Sequence, residues 1–281
     1  KDTLVVHDNY QAGGYPLLRE DLNNLAAQTI TPGMMSISGA SPYDVLMLNA
    51  AGTAVEFGSA AGRLLGIQSY TNDGGGYLES VNNMRIGGTW TWTKPAGCKY
   101  VLVYCTGAGA GSACNNDAYR GWAGGAGATA IGWYDVSGVT TVTVTTGSGS
   151  TASNAATGSV GQGGASSFGS FCTAYGGYGP TQENPHGGGR GGYSTGGNIL
   201  NVHGGAGQNS HGSDFEGGGG ASFWYAGGGQ HHNGTGQGDN DHTRRRTSGR
   251  FGGGGGINYG SDLTNQYRAG GAGVVVIYAY S

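Results

Sequence analysis

At 281 residues, with 64 glycines, 36% hydrophobic and only 10% charged residues, the chain can build only a small apolar core for its length. A net charge of −3 at pH 7 excludes a generic nucleic-acid binder, which needs a basic field. No stretch of about 18 apolar residues is present, so no membrane span is expected, and four cysteines without a CxxC pair point to buried free thiols rather than a disulfide scaffold.

Lys1-Asp2-Thr3 shows neither the basic nor the apolar region of a signal peptide. The chain opens without Met, so a longer natural protein upstream is expected. Residues 1–65 differ from the rest. Leu18, Leu22 and Leu25 share one face of a helix predicted over 15–28, with Pro16 in its first turn and Pro32 stopping it. So short a helix buries little, and its leucine stripe needs either the downstream domain or its own copy in a second or third subunit. Residues 41–49 and 54–57 read as two short strands, a hairpin marginal on its own. Both features point to stabilisation by oligomerisation.

From Gly66 the chain turns to strands. Thr89-Trp90-Thr91-Trp92-Thr93 alternates, and 100–105, 128–136, 140–145, 167–175 and 274–280 complete a small antiparallel sheet system, expected as a sandwich. The β-branched run at 274–280 will not sit exposed at a terminus, so it is expected to pair with 100–105. That pairing would close residues 176–273 into an excursion with both ends pinned.

Within that excursion 34 of 98 residues are glycine. Collagen is excluded, because runs such as 217–220 and 252–256 break a three-residue glycine register. A disordered linker is the compositional default. Against it stand Tyr178, Tyr193, Phe215, Phe223, Trp224, Tyr225, Phe251, Tyr259 and Tyr267, apolar mass that a spacer has no reason to carry. The remaining reading packs the glycine runs side by side as polyglycine II helices. Such a helix has no internal hydrogen bonds, so its neighbours must satisfy every N–H and C=O, and only glycine lets them come close enough.

The chain here resembles the glycine-rich receptor-binding tips of tailed-bacteriophage tail fibres, including T-even-like adhesins built on polyglycine II sandwiches. The residues that carry the resemblance are Gly88-Thr89-Trp90-Thr91-Trp92-Thr93-Lys94-Pro95-Ala96-Gly97, Tyr100-Val101-Leu102-Val103, Gly107-Ala108-Gly109-Ala110-Gly111, Gly163-Gly164-Ala165-Ser166-Ser167-Phe168-Gly169 and Ala269-Gly270-Gly271-Ala272-Gly273-Val274-Val275-Val276-Ile277. It covers residues 66–281, while 1–65 look only generically like a fibre shaft end. The resemblance implies a mainly β fold: a small antiparallel β-sandwich with a glycine-rich excursion packed as polyglycine II helices, preceded by a short helical and β shaft segment. Three domains are expected: 1–65, a shaft end and trimerisation segment; 66–175, a β-rich attachment domain; and 176–281, the tip with variable loops and the closing strand.

No catalytic constellation is found, and no enzyme is expected. Gly187, Gly189 and Gly192 fit GxGxxG but follow no strand, a chance match in such composition. Asp239-Asn240-Asp241 opens like a calcium loop, yet Arg244 and Arg250 stand where it needs glycine and an acidic residue. His231 and His232 point apart in an extended strand and share no ion readily. Neither a metal nor a cofactor is expected. Recognition is better supported, since Tyr, Gly, Ser and Asn dominate the tract as they do antibody paratopes. The candidate receptor contacts are Phe223, Trp224 and Tyr225, then Phe215, His231, His232 and the basic Arg244, Arg245 and Arg246, with Tyr119 and Trp122 in a second loop. Guanidinium groups would suit lipopolysaccharide phosphates or acidic loops of an outer-membrane protein.

The expected function is thus a non-enzymatic tail-fibre tip adhesin. It would sit at the distal end of the virion's fibre as a homotrimer joined to the upstream shaft, bind an outer-membrane protein or lipopolysaccharide, and insert in no membrane. The rivals are a structural or ice-binding glycine-rich protein and a glycan-binding, lectin-like module.

Overall fold

Strand-forming runs alternate with glycine runs along the whole chain after residue 60, and each kind builds its own storey. The computed structural model describes residues 44–48, 55–59, 62–71, 86–114, 120–152, 160–180, 187–211, 217–228, 248–257 and 269–281. It divides into two units, Lys1–Ala60 and Ala61–Ser281. In the first, β1 (Asp44–Leu48) and β2 (Val55–Ser59) form the expected antiparallel hairpin, Asp44 opposite Ser59. The helix expected over 15–28 lies outside the described residues.

In the second unit the strands are β3 (Leu64–Tyr70), β4 (Gly88–Thr93), β5 (Tyr100–Thr106), β6 (Ala113–Cys114), β7 (Arg120–Trp122), β8 (Thr129–Asp135), β9 (Thr141–Thr146), β10 (Ser166–Phe168), β11 (Cys172–Ala174), β12 (Ser194–Thr195), β13 (Leu200–Val202), β14 (Asn209–His211) and β15 (Val274–Tyr280). Two antiparallel five-stranded sheets, ordered β13-β8-β5-β15-β3 and β12-β11-β10-β9-β4, form the sandwich. No α-helix occurs among the described residues. Strand alternation fills the space between the sheets: Val101, Val103 and Cys105 of β5, Val275, Ile277 and Ala279 of β15, and Val142 and Val144 of β9 point inward with Trp92 and Phe168. The Trp92 and Phe168 rings meet edge-on at 5.6 Å. β15 pairs with β5 over its full length, Val274 opposite Thr106 and Tyr280 opposite Tyr100, as the sequence predicts.

Two strands differ from expectation. β3 was not legible as a strand, because Gly66 interrupts it, yet it pairs with β15 from Leu64 to Tyr70 around a bulge. The single strand expected over 167–175 is two, β10 and β11, because Gly169 turns the chain with φ 50°.

At one end of the sandwich the strands run on into glycine rods. β5 continues into residues 107–111, residues 123–128 lead into β8, and 269–273 lead into β15; the other sheet continues likewise into 147–152 and 175–180. The rods are polyglycine II in their bonding. In rod 123–128, Ala123 and Ala126 donate to Gln208 and Gly205, Gly124 and Gly127 to Gly255 and Gly252, and Gly125 and Ala128 to Tyr178 and Tyr175, at 2.8–3.1 Å. Each third residue thus addresses the same neighbour, the signature of three residues per turn. Carbonyls of the same rod accept from Gly189, Gly192, Gly220, Ala110 and Gly107. Three neighbours accept from its N–H groups and three others donate to its carbonyls, so the rod sits at the centre of a hexagon. Rod 107–111 is similarly enclosed, bonded to Ala128, Gly164, Gly177, Gly255, Gly271 and Ser150.

Close approach explains the glycines. A Cβ on Gly127 would fall on the Gly107 carbonyl, and one on Gly124 on the Ala110 carbonyl. The boundary expected at 175/176 therefore does not divide the structure: rods from both sides bond to one another, and β12, β13 and β15 return to the sheets. The tract is a series of excursions, not one closed loop. Toward the N-terminus the compact unit begins at Ala61, before Gly66.

Candidate functional site

At the end of the lattice opposite the sandwich, six pairs of described flanking residues come together. The flanks are residues 114 and 120, 152 and 160, 180 and 187, 211 and 217, 228 and 248, and 257 and 269. Hydrogen bonds hold them together. Val160 donates to Pro180 at 3.1 Å, Ile257 to Gly217 at 2.8 Å and Gly249 to Ala269 at 3.0 Å. A small antiparallel sheet, ordered β14-β7-β6, ties Arg120 to His211 and Cys114 to Gly121 at the same end.

Tyr119, Phe215, His231, His232, Arg244, Arg245 and Arg246 lie outside the described residues, each between a pair of those flanks. Trp122 is described: it is half-buried in β7, opposite Asn209 and Ala113. One end of the lattice therefore gathers the described residues that flank these positions in sequence.

Phe223, Trp224 and Tyr225 are elsewhere. Rod 217–222 runs from the far end back toward the sandwich and reverses through these aromatics into 225–228. The reversal is built on Ser222: its N–H donates to the Tyr225 carbonyl at 2.8 Å, and its Oγ accepts from the Trp224 and Tyr225 N–H groups at 3.3 and 3.1 Å. The same Oγ donates to the Phe251 carbonyl at 2.7 Å. That carbonyl belongs to a second reversal, where Gly253 N–H reaches the Arg250 carbonyl at 2.7 Å and both central residues have positive φ, 44° at Phe251 and 82° at Gly252. Against the sheet, the Trp224 indole N–H donates to Thr106 Oγ1 at 3.0 Å, and the Tyr104 ring lies 5.8 Å from Phe223 and 5.6 Å from Trp224. Sequence reasoning set these rings with the loop residues because adjacent rings cannot all enter a glycine lattice; the structure seats Phe223 and Trp224 on β5 at the sandwich end, while the Tyr225 ring lies beside Gly253. The signal that finds the turn is Ser222 at its first position, and Tyr104 and Thr106 were missed as its seat because they are distant in sequence.

Between the sheets, Cys105, Cys172 and Tyr134 are buried together. Burial pushes the Cys105 thiol and the Tyr134 hydroxyl well above their ordinary ranges, with Cys172 adding to both shifts. Both groups stay protonated at neutral pH, and a protonated thiol is a poor nucleophile. The Tyr134 hydroxyl donates to the Gly196 carbonyl at 2.9 Å. His203 is exposed, and among the described residues no three His, Cys, Asp or Glu side chains come together to hold a metal.

A family model for a glycine-rich domain matches residues 81–280. The chain belongs to that family. The match begins ahead of β4 and runs to the last residue of β15, so it takes in the lattice and every strand of the sandwich except β3, which precedes it with β1 and β2. No curated protein matches the chain.

Proposed function

We propose that this glycine-rich domain is the receptor-binding tip of a bacteriophage tail fibre, attaching the virion to a bacterial outer-membrane protein or to lipopolysaccharide without chemical turnover. The observation that supports the reading is the gathering of the described flanks, bonded Val160 to Pro180, Ile257 to Gly217 and Gly249 to Ala269, at one end of the hydrogen-bonded lattice. Loops held at both ends by a hydrogen-bonded scaffold are a common way to present recognition residues, and fixing their ends lowers the ordering cost of binding. The connections hold Tyr119, Phe215, His231, His232 and the Arg244–Arg245–Arg246 cluster, a mixture of rings and guanidinium groups suited to a phosphorylated sugar or an acidic protein loop. Resemblance of the ordered glycine motifs to fibre tips points the same way. In this reading the chain works as a trimer on an upstream shaft, and several tips acting together raise the effective concentration.

The test is binding of the fluorescently labelled chain to a panel of Gram-negative cells and to isogenic strains lacking single outer-membrane proteins or bearing truncated lipopolysaccharide. Loss on one class of mutant identifies the receptor, and changing Arg244, Arg245 and Arg246 to Ser weakens binding at least about tenfold with unchanged thermal stability. The proposal is wrong if no strain in a broad panel is bound, or if saturable binding is indifferent to both classes of mutant.

A further inference from the structure

Within the unit Ala61–Ser281, the described residues cover the outer face of the β13-β8-β5-β15-β3 sheet only at the corner held by Phe223 and Trp224. The registers dictate what that face displays. Tyr280 stands opposite Tyr100 and Leu64, and Tyr278 opposite Leu102 and Ile67, with Trp133 next to Leu102 on β8. Trp133 stacks on Tyr100 at 5.7 Å and meets Tyr280 at 5.0 Å, so the rings form one surface.

The exposed fractions are large: Ile67 55%, Leu200 50%, Leu64 46%, Trp133 38% and Tyr100 37%, continued by Phe223 at 47% and Trp224 at 38%. With ~200 Å² for each full side chain, these seven alone leave roughly 600 Å² of apolar surface in water, and the half-buried Leu102, Tyr104, Val276, Tyr278 and Tyr280 add to it. The largest apolar patch of a typical monomer is ~300–600 Å², whereas one side of a standard protein interface is ~800 Å². The face has the size of the latter.

Its chemistry narrows the occupant. Among the described strand positions facing outward, Asp135 is the only charged one; it stands at the margin, its carboxylate accepting from the Ser137 N–H at 2.8 Å. A sugar would require several free polar groups among the rings, yet the amide next to Trp133, that of Asn198, has both ends committed to the Trp133 backbone at 2.8 and 2.6 Å, which leaves the marginal Asp135 as the one carboxylate beside them. A face without buried charge can meet a copy of itself with no ion to desolvate. At its border β3 is the last strand of the sheet among the described residues and carries neither proline nor charge, the condition that invites another chain.

We infer that this face is an interface with a second copy of the chain. The contact belongs to the sandwich and stands independently of the receptor reading, which concerns the opposite end of the lattice. Sedimentation velocity on the full chain, with oxidative footprinting of Trp133, tests it. The wild type is expected above its 28.2 kDa subunit mass at micromolar concentration, with Trp133 protected from oxidation. The double variant Ile67→Lys, Leu200→Lys places charges that are solvated in a single subunit and buried in the contact; Trp133 should label about tenfold faster in it while the circular dichroism is unchanged. A wild type at the subunit mass up to ~100 μM, where even weak specific contacts assemble, overturns the inference. Equal Trp133 labelling in wild type and variant overturns it as well, since any assembly then uses another surface.

Discussion

Replacing Gly127 by Ala places one methyl group where the lattice has no room. Its Cβ would fall on the Gly107 carbonyl oxygen, and the obstacle is backbone, not the flexible end of a side chain. To make space the rods must separate, straining the bond from Gly127 N–H to the Gly252 carbonyl at 2.8 Å and that from Gly107 N–H to the Ala128 carbonyl at 2.9 Å. Overpacking costs ~1–3 kcal/mol. Two compromised bonds add ~2 kcal/mol, and the stiffer unfolded chain returns only ~0.4–1 kcal/mol. The net loss is ~2–5 kcal/mol, which for a unit of this size lowers the melting temperature by roughly 5–20 °C. Gly161→Ala is the matched control, because nothing lies within 4 Å of its added Cβ and its φ is not positive. That variant should melt at or slightly above the wild-type temperature. Differential scanning calorimetry of the three proteins decides, and equal melting of Gly127→Ala and Gly161→Ala would refute the claim that close packing of rods holds the lattice.

Hydrogen exchange should find the amides of Gly124, Gly125 and Gly127 as slow as those of β5, since each is bonded inside the hexagon; exchange at the rate of an open chain would contradict that bonding. Ser222→Ala removes the acceptor for two N–H groups and the donor to Phe251, and should cost ~1–2 kcal/mol in urea unfolding with faster exchange at Trp224 and Tyr225. Stability should fall at alkaline pH. Burial raises the folded pKa of Cys105 and Tyr134, so the unfolded chain loses those protons first, and the stabilising contribution is complete below the unfolded values, ~8.5 and ~10, and lost above them. Once pH exceeds each unfolded value the slope is ~1.4 kcal/mol per unit per group. Tyr134→Phe should flatten the part above pH ~10, and a urea midpoint unchanged from pH 8 to 11 would count against the burial argument.

The sandwich was readable where side chains alternate. Tyr100-Val101-Leu102-Val103 and Val274-Val275-Val276-Ile277 announce β5 and β15, and the need to shelter so apolar a last strand predicts their pairing, which the structure shows. β3 escaped because Gly66 weakens its pattern; its strand character comes from β15 beside it. The candidate site was legible only in part. Aromatic and basic words in the glycine tract could be picked out as candidates for recognition, but nothing near Phe223-Trp224 in the sequence reveals that Thr106 and Tyr104 receive these two rings.

Composition alone determined that the glycine runs could be neither collagen nor an apolar core, and that polyglycine II rods, if ordered, must lean on one another. Tertiary structure decided everything about the leaning: that 123–128 and 107–111 are enclosed rods, that their neighbours come from distant parts of the chain, and that the described flanks gather at one end while the Phe223–Trp224 reversal faces the sheet. The physical reason lies in the bonding. An α-helix closes its hydrogen bonds within a few residues, so local sequence can specify it; a polyglycine II rod closes none internally, and its partners exist only once the whole fold has brought them alongside.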